Sequence, residues 1–382
     1  MKQESISNIV VFSNHLLAYS ETFILAQGES LRRYKANYMG SDFVPNGLPT
    51  PKDRSFVLNR GRFGSLVDKA LKLGIALPRA TKQIKEIQPK LCHAHFGPNG
   101  MTAAPLSKKL NIPLVVTFHG FDLIESPTVI EHGRLHVNYY RNRHRLNEKV
   151  TKFIAVSERV KQRMLDAGFP KEKIIRHYIG IDTKKFTPDQ SVARENLVVC
   201  VGRMSKYKGQ EYLIRAMAEV QKLQNDYRLV LIGDGDERAS LERIASQLSV
   251  NITFTGRQTP EQVVEWMRKA KVYVQPSVRL KNGQEEALAL TIVEAQAVGT
   301  PAVVFSSGGM REAINPGRSG FVVDSESTTQ LVNAISNLVS DQCLWESFSD
   351  EARRYVLEVH DLEKQTEKLE SIYEQAIRDY RA

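Results

Sequence analysis

Two carboxylates eight positions apart, Glu286 and Glu294, are the residues of this sequence whose type and spacing most suggest chemistry. A helical pattern opens near Thr291 and ends at Gly299-Thr300-Pro301, with glycine and then proline as the stop signal. We interpret 287–291 as a tight loop entering the helix, where free N–H groups and the helix dipole favour an anion. A carboxylate there accepts hydrogen bonds from vicinal hydroxyls. The pattern indicates a sugar–phosphate site, or else an amphipathic helix with two solvated glutamates.

A basic pair follows a strand-like run in the second half of the chain. Gly202-Arg203 ends that run, and Lys208-Gly209 comes five residues later, before a helical pattern. The planar fork of arginine and the compact charge of lysine suit a diphosphate in this position. Loops also carry such residues for no chemical reason, so the spacing alone decides little.

The first half of the chain offers candidates at the ends of its predicted strands. His119 and Asp122 follow one strand, and ligands collect at the carboxyl ends of strands in open α/β sheets. A lone histidine there is also commonly structural, and Asp122 could orient the imidazole or cap the next helix. Asn99 opens the helix after the preceding strand. His93 and His95 share a face without a third ligand at a sensible spacing, so no metal site is predicted.

The segment after the first strand contains Ser20, Glu21 and Thr22 before an apolar run. This order predicts a helix start with Ser20 as the N-cap and Glu21 favoured by the helix dipole.

Short apolar β-rich runs alternate with longer helical patterns along the whole chain, which predicts an α/β fold with parallel sheets. The predicted strands of the first half are Asn8–Ser13, Leu91–Phe96, Pro113–Phe118, Lys152–Val156 and Lys173–His177. Those of the second half are Asn196–Val201, Tyr227–Ile232, Asn251–Phe254, Lys271–Gln275, Ala302–Phe305 and Gly320–Val323. Helices are predicted at Gln210–Leu223, Glu237–Leu248 and Pro260–Ala270.

Polar residues and a proline in Gly180–Ser191 mark a linker between two halves, each large enough for its own core. We therefore predict domains at 1–185 and 186–360, followed by a charged helix at 361–382. The three cysteines are far apart, and Cys92 and Cys200 lie in strand-like runs, which favours buried thiols in a reducing compartment. No apolar run approaches the ~20 residues that span a bilayer, and no signal peptide is expected.

The formal net charge of +10 is unevenly placed, with +14 in residues 1–190 and −4 in 191–382. Leu31–Lys90 alone has thirteen basic and four acidic residues, a balance of +9. This basic stretch is either a solvated surface or a site for an anionic membrane or an anionic acceptor. Its few aromatics argue against single-strand stacking, and no nucleic-acid motif is present.

Taken together, these motifs resemble glycosyltransferase family 4, a retaining family with the GT-B fold. Glu286 to Glu294 is similar to its E-x7-E motif, although Ala287 and Ala289 stand where the family usually has glycine. Alanine tolerates positive φ poorly, so the loop geometry or the room for the donor sugar is expected to differ. Gly202 to Gly209 resembles the G-R-x4-K-G signature, and His119 matches the histidine of an H-G motif.

Three further segments carry the resemblance. Leu229–Glu237 is similar to the family's G-D-G-x-E turn, and Thr253–Arg257 to the loop whose backbone holds the nucleotide base. Val274–Val278 precedes the carboxylates, as in the family. The usual Gly-Gly loop after the first strand is absent, and the segment at Ser20 instead resembles a variant of bacterial exopolysaccharide glycosyltransferases.

The resemblance implies a GT-B architecture, with two Rossmann-like α/β/α domains whose parallel sheets face each other across a cleft. The last helix would cross back to the first domain. Glu286 would contact the donor sugar, Glu294 the ribose, and the intervening amides the diphosphate. The implied catalytic residues are His119, Arg203, Lys208 and Glu286. The implied donor-binding residues are Gly202, Gly256, Arg257, Ala287, Leu288, Ala289, Leu290, Thr291 and Glu294. Candidates for contact with acceptor or donor are Ser20, Glu21, Thr22, Asn99 and Asp122.

The function that the resemblance implies is retaining hexosyl transfer from a nucleotide-sugar, with UDP favoured over GDP, in surface polysaccharide biosynthesis. The acceptor would be a saccharide or a polyprenyl-diphosphate-linked saccharide, and no metal or other cofactor is expected. We expect a cytoplasmic enzyme, peripheral at the inner face of the membrane, without a nucleic-acid partner. The alternatives are a nucleotide-sugar epimerase of the same fold and an inactive nucleotide-sugar-binding protein, which the alanines at Ala287 and Ala289 would favour.

Overall fold

The chain folds into two compact units. The computed structural model describes residues 6–45, 47–59, 63–125 and 137–382. One unit comprises Met1–Gly180 and Leu362–Ala382, and the other comprises Ile181–Asp361. The sequence placed these boundaries after residues 185 and 360, within the predicted linker and next to the start of the final helix.

The first unit is built on a parallel sheet of seven strands in the order β5-β3-β1-β6-β7-β8-β9, beside a small parallel pair formed by β2 and β4. The five strands predicted for this half are present, each within one residue of its expected bounds. The strands are β1 Ser7–Phe12, β2 His15–Leu16, β3 Tyr34–Gly40, β4 Asp42–Phe43, β5 Ser55–Val57, β6 Cys92–His95, β7 Leu114–Phe118, β8 Lys152–Ala155 and β9 Ile174–Arg176.

Strands β3 and β5 lie inside the basic stretch that the sequence analysis interpreted as surface. Strand β3 reads Tyr-Lys-Ala-Asn-Tyr-Met-Gly, so its polar residues conceal the pattern of a buried strand. It nevertheless pairs with β1 from Tyr34 to Met39, and Tyr38 and Met39 are buried. Pairing in the sheet, rather than local composition, makes this segment a strand.

The second unit is built on a parallel sheet of six strands in the order β12-β11-β10-β13-β14-β15. All six predicted strands are confirmed, with bounds that differ by at most two residues. Because β10, β13 and β14 are neighbours, the loops that follow them meet at one edge of the sheet. The strands are β10 Glu195–Val201, β11 Arg228–Ile232, β12 Ile252–Gly256, β13 Ala270–Gln275, β14 Ala302–Phe305 and β15 Gly320–Val323.

The helices connect successive parallel strands, and the three that the sequence predicted in the second half are present. None of the helices in the described part of the chain is long and apolar enough to cross a membrane. The helices are α1 Thr22–Glu29, α2 Gly64–Lys72, α3 Pro78–Glu86, α4 Gly97–Leu110, α5 at 137–142, α6 Leu146–Lys149, α7 Glu158–Asp166, α8 Gln210–Leu223, α9 Arg238–Gln247, α10 Pro260–Lys269, α11 Leu290–Ala297, α12 Thr328–Ser340, α13 Gln342–Val359 and α14 Leu362–Arg381.

The last helix, α14, contributes to the core of the first unit. Leu369, Ile372 and Tyr373 pack into the same apolar cluster as residues of β1, β3, β6 and β7 or of the loops beside them. The buried carboxylate of Glu370 accepts hydrogen bonds from the backbone N–H groups of Arg32 and Arg33, each at 2.7 Å, just before β3 begins. The helix is thus held by apolar contact and by a buried carboxylate.

Candidate functional site

The loop after Glu286 enters α11 through a left-handed residue. Ala289 is the N-cap of this helix and has φ +61°, whereas the backbone of Ala287 has no positive φ. The expected conflict is therefore confined to one alanine, where the left-handed region costs about 1–2 kcal/mol. Leu288 is buried, so its backbone is the part that can meet a ligand. The N–H groups at the start of α11 form the kind of site that favours an anion.

Helix α11 ends as the sequence predicted. Val298 is its C-cap, and Gly299 follows with φ +76°. The N–H of Thr300 donates to the carbonyl oxygen of Ala295 at 3.0 Å, which closes the last turn before Pro301.

Glu286 is half-buried and forms an ion pair with Lys208, the lysine that follows β10. Burial opposes the charge of Lys208, but the neighbouring Glu286 carboxylate prevails and raises the lysine pKa. The backbone of Glu286 is also fixed, because its carbonyl oxygen accepts from the N–H of Gly309 at 2.9 Å. A Cβ at Gly308 would lie 2.1 Å from that oxygen, so the loop after β14 can approach only as glycine. The loops after three neighbouring strands, β10, β13 and β14, thus position this carboxylate.

A buried polar chain along β13 joins the two ends of the 286–291 loop. The Tyr273 hydroxyl lies 2.7 Å from Oγ1 of Thr291 and 2.8 Å from Oε1 of Gln275. The Gln275 amide donates to Ser277 at 2.8 Å, and the Ser277 hydroxyl donates to Oε1 of Glu286 at 3.3 Å. Sequence reasoning noted this segment only as a flank of the carboxylates. The available signal was alternation, since Tyr273 and Gln275 share one face of β13 and Ser277 continues the same spacing just after the strand.

Glu294 lies one turn into α11, as predicted. Burial raises its pKa to about 7, and the charge of Lys185 opposes the shift. Within the described part of the chain, its carboxylate receives no hydrogen bond. Burial raises the pKa of the nearby Tyr273 hydroxyl, and Glu294 and Glu286 both raise it further. Both carboxylates therefore disfavour ionisation of one buried hydroxyl.

The loop after β10 brings together the predicted glycine and basic residues. Gly202 lies so close to Lys208 that a Cβ there would contact the lysine side chain at 3.4 Å. Gly209, with φ +66°, is the N-cap of α8, and a Cβ there would lie 1.9 Å from the Pro276 carbonyl oxygen. Arg203 is exposed beside them. The structure thus gathers Gly202, Lys208 and Glu286, with Arg203 at the solvent side.

The Gly-Asp-Gly turn after β11 packs against the same loop through its backbone. The Met204 N–H donates to the Asp234 carbonyl oxygen at 3.0 Å, and a Cβ at Gly233 would lie 2.1 Å from the Gly202 carbonyl oxygen. Gly256 ends β12, and Arg257 is exposed just after it. Among the described residues, no group of three or more His, Cys, Asp or Glu side chains is arranged to hold a metal ion.

In the first unit, three histidines form a row at the carboxyl ends of β6 and β7. Nδ1 of His95 lies 3.1 Å from Nε2 of His119, and the rings of His93 and His95 are 4.3 Å apart. Burial lowers the pKa of His119 to about 3, with His93 lowering it further. The rings of Phe96 and Phe23 lie 4.5 and 5.0 Å from His119. His119 is therefore a neutral, half-buried imidazole that can exchange hydrogen bonds but carries no charge.

Asp122 was expected to orient the imidazole of His119 or to cap the next helix, and it does neither. Its carboxylate accepts from the backbone N–H of His119 and of Gly97, both at 2.6 Å. It therefore caps the preceding helix, α4, from a neighbouring loop and orients the backbone of His119 rather than its ring. Burial raises its pKa to about 6, against the hydrogen bonds that lower it. Asn99 lies inside α4, which begins at Gly97, and its amide donates to the His95 carbonyl oxygen at 2.7 Å.

The predicted N-cap at Ser20 is wrong. Helix α1 begins at Thr22, its N-cap is Glu21, and no side chain caps it. The Glu21 carboxylate instead accepts from the Ala18 N–H at 3.0 Å, and burial raises its pKa. Ser20 and Thr22 are exposed at the start of this helix, next to the Phe23 that contacts His119. The segment therefore adjoins the histidine row without supplying a cap.

The basic stretch is partly neutralised within the first unit. Arg32 pairs with Glu363 at 2.7 Å, and Arg33 pairs with Glu370 at 3.0 Å, both on α14. Ion pairs also join Arg54 to Glu29 and Lys72 to Asp68. The positive charge that remains is therefore smaller than the sequence balance suggests. Residues 60–62, which include two arginines of the stretch, lie outside the described residues.

Comparison with known proteins finds two family models on this chain. The model described as glycosyltransferase family 4 matches residues 43–185, and the model described as glycosyl transferases group 1 matches 182–355. A mannosyltransferase of Corynebacterium glutamicum, named as GDP-mannose-dependent and acting on a monoacylated phosphatidylinositol monomannoside, is 31% identical over 42% of this chain and 46% of its own length. The putative colanic acid biosynthesis glycosyltransferase WcaL of Escherichia coli is 27% identical over 65% of this chain and 62% of its own length. The chain spans about half the length of several curated relatives that it matches.

Solved structures show the same fold. Anabaena HepE in complex with UDP and glucose has a TM-score of 0.75 and 20% identity, and the match covers 95% of this chain and 98% of that one. A sucrose-phosphate synthase from Thermosynechococcus elongatus has a TM-score of 0.76 and 20% identity, covering 97% and 98% of the two chains. At this identity the likeness establishes the fold alone. It confirms the predicted GT-B class, with two Rossmann-like units built on parallel sheets.

Proposed function

The chain belongs to the glycosyltransferases that carry family 4 and group 1 domains, and we propose that it is a retaining hexosyltransferase with a nucleotide-sugar donor. The observation that carries this proposal is the arrangement at the start of α11. Glu286 is fixed by Lys208 and by the polar chain of β13, and Glu294 has a raised pKa one turn further on. Carboxylates held beside a helix N-terminus suit a ligand with both hydroxyls and phosphates.

Each residue of this site has a distinct proposed role. The N–H groups of Ala287, Ala289, Leu290 and Thr291, together with Leu288, Arg203 and Lys208, would hold the diphosphate and stabilise the charge that develops as it leaves. Glu286 would contact the donor sugar, and Glu294 the ribose. Gly202, which has no side chain, would allow the backbone to approach the donor closely. Gly256 and Arg257 would adjoin the base. In the first unit, His119 is the candidate for contact with sugar hydroxyls, because its neutral ring can both donate and accept.

We favour UDP over GDP as the nucleotide of the donor. A protein of the same fold is named in complex with UDP-glucose, whereas the named mannosyltransferase relatives are GDP-mannose-dependent. A thermal-shift screen against UDP, GDP, ADP and their sugars separates these donors. Ligand at 100 times its dissociation constant adds about 2.7 kcal/mol of stability. A shift with GDP-sugars alone would refute the choice of UDP.

The proposed acceptor is a saccharide or a polyprenyl-diphosphate-linked saccharide in surface polysaccharide biosynthesis. Support comes from relatives named for colanic acid biosynthesis and for a phosphatidylinositol mannoside. Such an acceptor places the enzyme at the inner face of the cell membrane. The basic stretch supports peripheral contact with anionic lipid, which should weaken with salt as the Debye length falls from about 10 Å at 0.1 M to about 3 Å at 1 M. Equal binding to neutral and anionic vesicles would contradict this contact.

Incubation with each nucleotide-sugar alone tests the reaction itself. Slow hydrolysis of the donor to free sugar and nucleoside diphosphate is the result expected of a transferase without its acceptor. Epimerised donor would indicate an isomerase of the same fold. Binding without either reaction would indicate an inactive module. Arg203→Ala should lower the hydrolysis rate by roughly 100- to 1,000-fold, as for the loss of one transition-state donor.

A further inference from the structure

Large apolar side chains are exposed together at one place on the first unit. Phe63, Leu66, Leu73 and Ile75 are 55%, 60%, 81% and 57% exposed. They are four of the twelve large hydrophobic residues that are exposed in the described part of the chain, and they lie within thirteen positions of one another. Contiguous exposed apolar surface marks an interaction site more often than single residues do.

The helical period places these side chains on the outer face of α2. Val67 and Leu71 are buried on the face that packs towards α4. Leu66 and Leu73 are seven positions apart and therefore share the opposite face, with Phe63 one turn before Leu66. Ile75 follows directly after the helix. The helix therefore has one face in the core of the unit and a second apolar face that is exposed.

Exposed lysines lie on α2 and on the helix that follows it. Lys69 is exposed between Leu66 and Leu73, at the period of the same face. The next helix, α3, also packs on α4 and exposes Lys82 and Lys85. Together the apolar side chains and these three lysines form what we call the α2–α3 surface. Its exposed charges are positive on both helices, apart from Glu86 at the end of α3.

We propose that the α2–α3 surface docks on an anionic lipid bilayer, with Leu66 and Leu73 inserted and the lysines at the headgroups. Exposed leucines on either side of a lysine on α2 match an interfacial helix, whose apolar face enters the headgroup–acyl boundary while basic side chains meet anionic lipid. This deepens the proposed function by naming the surface that brings the enzyme to a lipid-linked acceptor.

The test is co-sedimentation of the full chain with vesicles at about 0.1 M salt. Two compositions are used, phosphatidylcholine alone and equal parts of phosphatidylcholine and phosphatidylglycerol. The double variant Leu66→Glu/Leu73→Glu should lower the partition onto anionic vesicles at least about tenfold. Tenfold corresponds to about 1.4 kcal/mol, less than the transfer of one fully buried leucine. The matched control is Leu223→Glu, because Leu223 is 73% exposed at the end of a helix in the other unit and should not affect binding.

Three results would overturn the proposal. The wild-type chain could fail to bind either vesicle, the double variant could bind as wild type does, or Leu223→Glu could weaken binding equally. If light scattering shows a dimer that the double variant dissociates while vesicle binding persists, the surface is a protein interface instead. Thermal shifts with nucleotide-sugars, measured on the same variants, should be unchanged. They report on the proposed transferase site separately, so loss of lipid binding and loss of donor binding are distinguishable.

Discussion

Replacing Glu294 with glutamine should remove a specific pH dependence from nucleoside diphosphate binding. In the free protein, burial raises the pKa of Glu294 to about 7. The hydroxyls of a bound ribose would donate to the charged carboxylate and so lower its pKa. The complex then binds fewer protons than the free protein, and affinity rises with pH until about 7 and levels off above it.

The change in affinity with pH can be calculated from the change in the Glu294 pKa on binding. If ribose returns the pKa to about 5, the dissociation constant at about pH 6 is roughly tenfold larger than at about pH 8. Glutamine keeps the size of the side chain and one acceptor oxygen but cannot lose a proton. Its affinity should therefore lack this dependence. At about pH 8 it should bind the nucleotide more weakly by about 1.5–3 kcal/mol, the value of one charge-assisted hydrogen bond.

The same substitution should weaken nucleotide binding at high pH but stabilise the folded protein there. A carboxyl whose folded pKa is raised from 4.5 to about 7 destabilises the folded state above pH 7, and this penalty disappears below about pH 4.5. The shift corresponds to an upper bound of about 3 kcal/mol. Glu294→Gln should therefore raise the free energy of unfolding at about pH 8 and leave it nearly unchanged at about pH 4.5. Urea unfolding at the two pH values measures this difference.

Isothermal titration calorimetry measures the binding effect directly. UDP is titrated in two buffers of different ionisation enthalpy, which gives the number of protons released by wild type and by Glu294→Gln. Because a terminal phosphate itself titrates near pH 6, the quantity of interest is the difference between the two proteins. An identical proton release and an identical pH dependence in both proteins would refute the assignment of Glu294 to the ribose.

Three further results are expected. Glu286→Gln should leave the affinity for UDP within a few-fold of wild type but abolish most turnover, whereas Lys208→Ala should lower turnover by roughly 100- to 1,000-fold. Calorimetry measures the affinity for UDP, and donor hydrolysis measures turnover. Weak binding of UDP with normal turnover in Glu286→Gln, or normal turnover in Lys208→Ala, would contradict these roles. Asp234 and Asp236, in the turn after β11, have the Asp-x-Asp spacing that can hold a divalent metal. Turnover should nevertheless persist in excess EDTA and in Asp234→Asn and Asp236→Asn; activity that EDTA abolishes and magnesium restores, with both variants inactive, would make the enzyme metal-dependent. Ala289→Gly should raise the free energy of unfolding by about 1 kcal/mol, because glycine adopts the left-handed region without strain; a loss of stability in urea unfolding would contradict this.

Much of the second unit could be predicted from its sequence because its pattern is local and regular. Each strand is a short apolar run, and Gly299 ends α11 by its own conformational freedom. The stop at Gly299-Thr300-Pro301 therefore predicted the end of the helix without any knowledge of its neighbours. The contact of Lys208 with Glu286 depends on the order of the strands, which brings separate loops to one edge of the sheet.

The failures have a common cause in tertiary contact. Ser20 has a typical N-cap residue type, but the chain at Glu21 turns so that its carboxylate meets the Ala18 N–H. Asp122 caps a helix that precedes it by twenty-five residues, at Gly97, which no local spacing rule includes. Tyr273 reaches the 286–291 loop only because the fold brings its hydroxyl to Thr291, eighteen positions further along the chain. These roles are set by packing, whereas residue type limits only which roles are possible.

The core of the first unit is completed by α14, a helix that is synthesised only after the second unit. Leu369, Ile372, Tyr373 and Ala376 belong to its apolar core, and Glu370 fixes the entry to β3. The ribosome makes the strands of this unit before the second unit and this helix after it. One part of the core of the first unit therefore stays uncovered until the second unit has been translated. A premature stop codon before these twenty residues would consequently appear as a folding defect of the first unit.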